Sequence, residues 1–268
     1  MKKWYAIVLF SAYLVGCNTY QNALKVDDSM YKNEVADQLF EQKKYKKAIN
    51  LYAQVFSKEK WDQKLASTYY KYGKSLYLVE RYELSSAFLK GYNNNFPLSP
   101  FREETMYLEA MSDYHLSDDY SQDQSNTIGA IAKFENYLAQ FPEGENAEKA
   151  TQAISELKGK IEKKAYEAAK LYNQIGEYTR DYNAAIVALD NFLLDYPGSK
   201  YKEDALFYKF DSGYRLAMNS VQHKKEERLK NAISLYESLI SFNESTKYKS
   251  QADDMIKRVQ NELKQFSK

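Results

Sequence analysis

The sequence predicts an all-α chain of about five helix–turn–helix repeats closed by a C-terminal capping helix. Three observations carry this. The 268 residues include only 9 Gly and 4 Pro, with 28% charged residues, so helix breakers are scarce. A small–aliphatic pair flanked by large apolar residues recurs along the chain at helical spacing. Three of the copies end in an aromatic–proline step: Phe96-Pro97, Phe141-Pro142 and Tyr196-Pro197.

The N-terminus is read first. Lys2 and Lys3 precede an apolar run from Trp4 to Val15, too short for a hydrocarbon core that needs about 20 residues. Leu14-Val15-Gly16-Cys17 resembles the bacterial lipobox. Residues 1–16 are therefore expected to be a removed signal peptide, and Cys17 to carry a diacylglycerol and an N-acyl chain, with no other cofactor. More than one chain is needed for stable anchoring, since each buried methylene contributes about 0.8 kcal/mol. Asn18 stands where aspartate would favour inner-membrane retention, and no acidic run follows. The expected location is the outer membrane, lipid-anchored, on the periplasmic face. Residues 17–30 read as a lipidated tether to a repeat domain over 31–268.

The repeats follow in order, at about 31–60, 61–97, 98–142, 164–197 and 200–243. Their second helices carry Tyr45-x-x-Ala48-Ile49-x-x-Tyr52, Tyr82-x-x-Ser85-Ser86-x-x-Leu89, Ala130-Ile131-x-x-Phe134, Tyr182-x-x-Ala185-Ile186-x-x-Leu189 and Ala232-Ile233-x-x-Tyr236. First helices carry Ala36-x-x-Leu39, Gly73-x-x-Leu76 and Ala169-x-x-Tyr172. A small residue on each helix lets two backbones approach, and Pro97, Pro142 and Pro197 stop the second helix because proline lacks the N–H. This is the logic of the tetratricopeptide repeat, with longer and uneven periods. Polar residues 117–125 lengthen the third repeat, an extra helix over 146–163 precedes the fourth, and Gln222–Arg228 lengthens a loop or helix start in the fifth. A helix over 247–266 caps the array, with Ala252, Ile256, Val259 and Leu263 on one face. Along the fourth second helix, Tyr182, Ala185, Ile186, Leu189, Phe192, Leu193 and Tyr196 form an apolar stripe expected to be buried.

Composition narrows function. Lys+Arg 38 against Asp+Glu 37 gives no electrostatic case for nucleic acid, and the single cysteine leaves no disulfide. His115 and His223 lie in separate repeats without cysteine partners, so no zinc site is expected. Asp119-x-Ser121-x-Asp123 begins like a calcium loop, but Gln124 and Ala130 occupy the turn-glycine and closing-glutamate positions. No phosphate loop, nucleophile elbow or His-Glu-x-x-His motif occurs, and no paired carboxylates point to glycan cleavage. An enzyme is not expected. Lys158–Lys164 reads most simply as a solvated helix face, and the sharper reading is a docking patch for an acidic partner. Among 26 tyrosines, Tyr69, Tyr70, Tyr72 and Tyr77 divide between two helix faces. One set should pack, and the other is the candidate lining of a groove for an extended peptide.

Asp123-Gln124-Ser125-Asn126-Thr127 leading into Ala130-Ile131-x-x-Phe134-x-x-Tyr137-Leu138-x-x-Phe141-Pro142 resembles a segment of the BamD family, lipoproteins of the outer-membrane β-barrel assembly machinery. Phe96-Pro97-Leu98-Ser99-Pro100 with Glu103-Glu104, and Lys163-Lys164-Ala165-Tyr166-x-x-Ala169, are similar to further family segments. The resemblance covers about Tyr31 to Tyr248. It departs at the ends of repeat one (Glu59-Lys60-Trp61) and repeat five (Phe242-Asn243-Glu244). It implies a non-enzymatic adaptor that binds the periplasmic domains of a BamA-type insertase through its C-terminal repeats. It also implies reception of unfolded barrel precursors by the N-terminal repeats, alongside other assembly lipoproteins. The alternative is a periplasmic repeat scaffold of another envelope or cell-wall complex.

Overall fold

The computed structural model describes residues 19–56 and 61–266. Cys17 and the signal segment lie outside the described residues. The described residues form helices and turns with no strand. A first helix, α1, runs over 19–25. It is followed by α2 (Ser29–Glu41), α3 (Tyr45–Phe56), α4 (Ala66–Leu78), α5 (Tyr82–Asn95), α6 (Arg102–His115) and α7 (Ser125–Gln140). Then come α8 (Ala147–Thr179), α9 (Tyr182–Asp195), α10 (Lys202–Met218), α11 (Gln222–Phe242) and α12 (Lys249–Leu263). Consecutive helices pack in pairs, the arrangement of a tetratricopeptide-like fold. The chain divides into two compact units, Met1–Lys158 and Gly159–Lys268.

Three first-to-second-helix turns share one geometry. Lys43, Glu80 and Arg180 adopt φ of 58°, 64° and 58°, each two residues before the tyrosine that opens the next helix. In two of them the left-handed residue closes a paired cap: Lys43 N donates to Phe40 O and Lys44 N to Leu39 O, as Glu80 N does to Tyr77 O and Arg81 N to Leu76 O. These bonds satisfy carbonyls that a helix end otherwise leaves orphaned.

The opposite turns are built around the aromatic–proline steps. Phe96, Phe141 and Tyr196 cap α5, α7 and α9, each followed by its proline. Ser99 N, Gly144 N and Ser199 N then bond back to the carbonyls of those aromatics. A carboxylate on a neighbouring first helix grips the turn. Glu103 Oε1 accepts from Glu145 N at 2.7 Å and Tyr137 OH at 3.2 Å, and Glu203 Oε1 accepts from Lys247 N at 3.1 Å and from the Thr246 hydroxyl.

An aromatic two residues beyond a turn hydroxyl stacks on the preceding first helix in three places. Phe101 lies on Tyr70, Tyr201 on Tyr166 and Tyr248 on Phe207, each pair at 4° between planes with centroids 4.1, 4.6 and 3.8 Å apart. Backbone N–H groups of these aromatics bond to Ser99 Oγ, Ser199 Oγ and Thr246 Oγ1, which sets the ring positions.

The small–large seam is present in both units. A Cβ on Gly73 would meet Leu89 Cδ2 at 2.4 Å, and one on Gly213 would meet Leu235 Cδ1 at 2.5 Å. Ala48, Ala130, Ala185 and Ala232 are wholly buried, as are Ser85 and the large residues Tyr52, Leu89, Phe134 and Leu189. Ile49 and Ile131 are buried with them. Ile186 and Ile233 are only partly covered, because the stripe turns its edge out of the seam. The expectation of full burial therefore holds for Tyr182, Ala185, Leu189 and Phe192, but not for Ile186, Leu193 and Tyr196.

The inserts take definite form. The polar loop before α7 is stapled by buried Gln124, whose Nε2 donates to Asp119 O at 2.8 Å while its Oε1 accepts from Thr127. The extra helix and the first helix of repeat four are one continuous α8, and Gln222–Arg228 is the first two turns of α11. Ala252, Ile256 and Val259 of α12 are buried.

One expectation is overturned. The segment read as a tether is helical over 19–25 and docked. Tyr20 and Ala23 are buried in the first repeat's core with Ala36, Leu39 and Leu51. Tyr20 OH accepts from Asn50 Nδ2 at 3.1 Å, and Lys47 Nζ sits 5.1 Å from the Tyr20 ring centre. An aromatic and a small residue three apart lie on one helix face, which gives even this short helix an apolar side to bury.

Candidate functional site

The four candidate tyrosines of α4 do not line one groove. Tyr69 is 2% exposed and Tyr70 8% exposed, so neither can meet a peptide without leaving the core. Tyr69 stacks on Phe56 at 4.3 Å, with Trp61, Phe88 and Phe96 around it. Gly91 makes room for that indole, since a Cβ there would meet Trp61 Cζ2 at 2.7 Å. Tyr72 is partly covered and packs edge-on against Phe56 and Phe88 at 5.2 and 4.6 Å.

Tyr70 belongs to a polar network on the other face. Its hydroxyl donates to Glu104 Oε2 at 2.6 Å and accepts from Lys74 Nζ at 2.9 Å, while Lys74 pairs with Glu104 at 2.7 Å. Burial, then the bond to Glu104, pushes the phenol up to about 12. Tyr77 is partly covered and meets Tyr82 edge-on, and His115 stacks on Tyr82 at 4.3 Å. Burial holds His115 below its ordinary value. These positions carry packing, since each ring lies against other aromatic side chains of the helix array.

Recessed and exposed apolar surface lies elsewhere. In the first unit a cleft of about 700 Å³ opens between the start of α4 and the turn into α6. Ala66, Phe96, Pro97 and Phe101 line it, and Leu98 stands at its edge with 96% of its surface exposed. Nothing in the hydropathy pattern marks that turn, but the Pro-Leu-Ser-Pro spacing, which holds an apolar side chain between two prolines, is its signal.

In the second unit α8 buries Tyr166, Ala169 and Asn173 on one side. Asn173 Nδ2 reaches Asp211 Oδ2 at 2.8 Å and Ser212 Oγ at 2.9 Å on α10. The reverse side of α8 presents Leu171, Ile175 and Tyr178 at helical spacing, exposed by 50%, 39% and 88%. Val187 and Leu194 of α9 are exposed as well. Such surface on a helix otherwise rich in Lys and Glu marks an interaction face more often than a solvated one.

No described helix is long and apolar enough to cross a membrane, and no group of histidines, cysteines and carboxylates among the described residues could hold a metal.

Comparison with known proteins agrees with this reading of the fold. The chain is 24% identical over 224 residues to the outer membrane protein assembly factor BamD of Rickettsia prowazekii, covering 83% of each chain. It is 26% identical over 195 residues to the putative assembly factor BamD of Aquifex aeolicus, covering 73% of this chain and 62% of that one. The model of the YfiO family, described as outer membrane lipoprotein, matches residues 24–180 and 177–266, so the two matches together run through both units. The chain belongs to the YfiO family of outer membrane lipoproteins, the family that includes BamD.

Proposed function

We propose that this lipoprotein is a non-enzymatic adaptor of outer-membrane β-barrel assembly. Acyl chains on Cys17 hold it on the periplasmic face of the outer membrane. Its second unit binds the periplasmic part of a BamA-type barrel insertase, and its first unit receives unfolded barrel precursors, in company with other assembly lipoproteins. The relatives named as assembly factors support the role.

The observation that carries the partner reading is the ridge of Leu171, Ile175 and Tyr178, an apolar face without cover in the unit that the resemblance assigns to insertase docking. For precursors, the cleft beside Leu98 replaces the buried tyrosines as the contact to test. A photo-crosslinker at position 98 should capture an unfolded barrel precursor, whereas one at position 69 should not.

The partner reading is tested by Leu171→Glu with Tyr178→Glu. Both side chains are exposed, so the melting temperature should hold within about 2 °C. Detergent co-purification of the barrel protein should fall by about tenfold or more, the ordinary consequence of losing an interface anchor worth over about 1.4 kcal/mol. Undiminished recovery would remove the ridge from the interface.

A further inference from the structure

In the second unit, arginines from three elements surround one hollow of about 460 Å³. Arg180 stands in the turn between α8 and α9, Arg215 near the end of α10 and Arg228 in the second turn of α11. Arg215 is held from behind. Its Nε donates to both carboxylate oxygens of Asp211, at 3.0 and 2.9 Å, and Asp211 is buried and accepts from Asn173 Nδ2 at 2.8 Å as well. A buried carboxylate thus fixes the direction of the guanidinium before any ligand arrives.

Among the described residues, neither Arg180 nor Arg228 makes an ion pair. Arg228 Nη1 donates to Ser220 Oγ at 2.7 Å, a neutral group. Asp181, beside Arg180, uses Oδ1 to cap α9 by accepting from Asn183 N at 3.1 Å. Glu177 is the one acid in the lining, set against three cations. Like charges around one hollow repel one another and raise its positive potential, a cost that a bound anion relieves. Arginine forks match carboxylates in particular, two bonds at a time. Large apolar side chains flank the lining in the chain: Tyr178, 88% exposed, lies two residues before Arg180, and Val221, 59% exposed, two after Asn219. A small ion gains nothing from such neighbours, whereas a peptide does.

We infer that this hollow is a docking pocket for an acidic peptide segment of a partner protein. Its side-chain carboxylates meet Arg180, Arg215 and Arg228, and its apolar residues meet Tyr178 and Val221. The pocket shares Tyr178 with the ridge, but the inference does not need the insertase to be the partner. It assigns the contact by chemistry, from the hollow itself.

The test uses the full chain in neutral detergent at low ionic strength. A rhodamine-labelled peptide of three glutamates flanked by leucines should bind it, read by fluorescence anisotropy, and the same peptide with glutamines should not. The variant R180Q/R228Q should weaken binding by about tenfold, because two charge-assisted contacts are lost. Its melting temperature should fall by no more than about 3 °C, since only the bond from Arg228 to Ser220 goes with them. R180Q alone, at an exposed side chain, should leave the melt unchanged and weaken binding by about threefold. Arg215 stays in both variants, because its removal would strand the buried Asp211 charge. The pair K200Q/K257Q takes the same charge from exposed sites of the second unit and should leave the affinity intact. No binding of the glutamate peptide, equal binding of the glutamine peptide, equal loss from both pairs, or inorganic phosphate bound as tightly as the peptide would overturn the inference. Insertase co-purification reads the assembly role separately, so either idea can fail alone.

Discussion

At the residue scale, strain and burial decide which positions tolerate change. Glu80 holds a left-handed conformation that an L side chain adopts at a cost of about 1–2 kcal/mol, and it caps α4 in that state. Glycine carries no such cost but loses more entropy on folding. Glu80→Gly should therefore stabilise the protein by about 1 kcal/mol, read as a higher urea midpoint with unchanged slope. The stripe on α9 gives a sharper contrast. Leu189 is wholly buried, and Leu189→Asp should cost more than about 3 kcal/mol through an unpaired buried charge. Ile186 keeps access to water, so Ile186→Asp should cost less than half as much. Equal midpoints for the two variants would contradict the orientation of α9.

The residue scale also shows what the sequence hides. The left-handed turns were illegible because Lys43, Glu80 and Arg180 stand where glycine would have announced them. The ring stacks were legible in principle: Ser99-Pro100-Phe101, Ser199-Lys200-Tyr201 and Thr246-Lys247-Tyr248 share a hydroxyl and an aromatic two apart. A search keyed to the aromatic–proline steps passes over the third, whose turn opens with Phe242-Asn243 instead. Tyr69 and Tyr70 could not be placed from spacing, because both faces of α4 are covered and periodicity cannot tell a seam from a groove.

At the element scale, α8 is the unusual member. Its 33 residues span the boundary between the two compact units, which falls between Lys158 and Gly159. A Cβ on Gly159 would meet nothing within 4 Å, so packing does not require the glycine. Gly159→Ala should add about 0.8–1 kcal/mol of helix stability, measured as slower amide exchange across residues 155–163. No change would show that α8 is already held rigid there by its neighbours. The element boundaries were largely readable. Prolines end α5, α7 and α9 where the aromatic–proline steps place them, and the continuity of α8 accords with the absence of proline over 147–179. The tether was misread because a seven-residue helix carries too little periodicity to stand out. Only the waiting surface of α3 makes Tyr20 and Ala23 a buried pair.

At the scale of the whole molecule, repetition explains why so much was legible. Within each compact unit, consecutive helices pack on one another, so local pattern and tertiary contact coincide. Binding surfaces follow no such rule. The Leu98 cleft and the Leu171–Tyr178 ridge depend on which faces are left over after packing, and that is settled by distant residues. On the proposed anchoring through Cys17, docked α1 has a further consequence for how far repeat one can move. A leash of 13 residues would let repeat one roam a sphere of about 45 Å radius, whereas three residues confine it to about 10 Å. The accessible volume shrinks by on the order of a hundredfold, and the local concentration of repeat one at the bilayer rises in proportion. If Cys17 carries the acyl chains proposed above, Tyr20, with its ring buried in the first repeat's core, would hold repeat one close to the membrane surface.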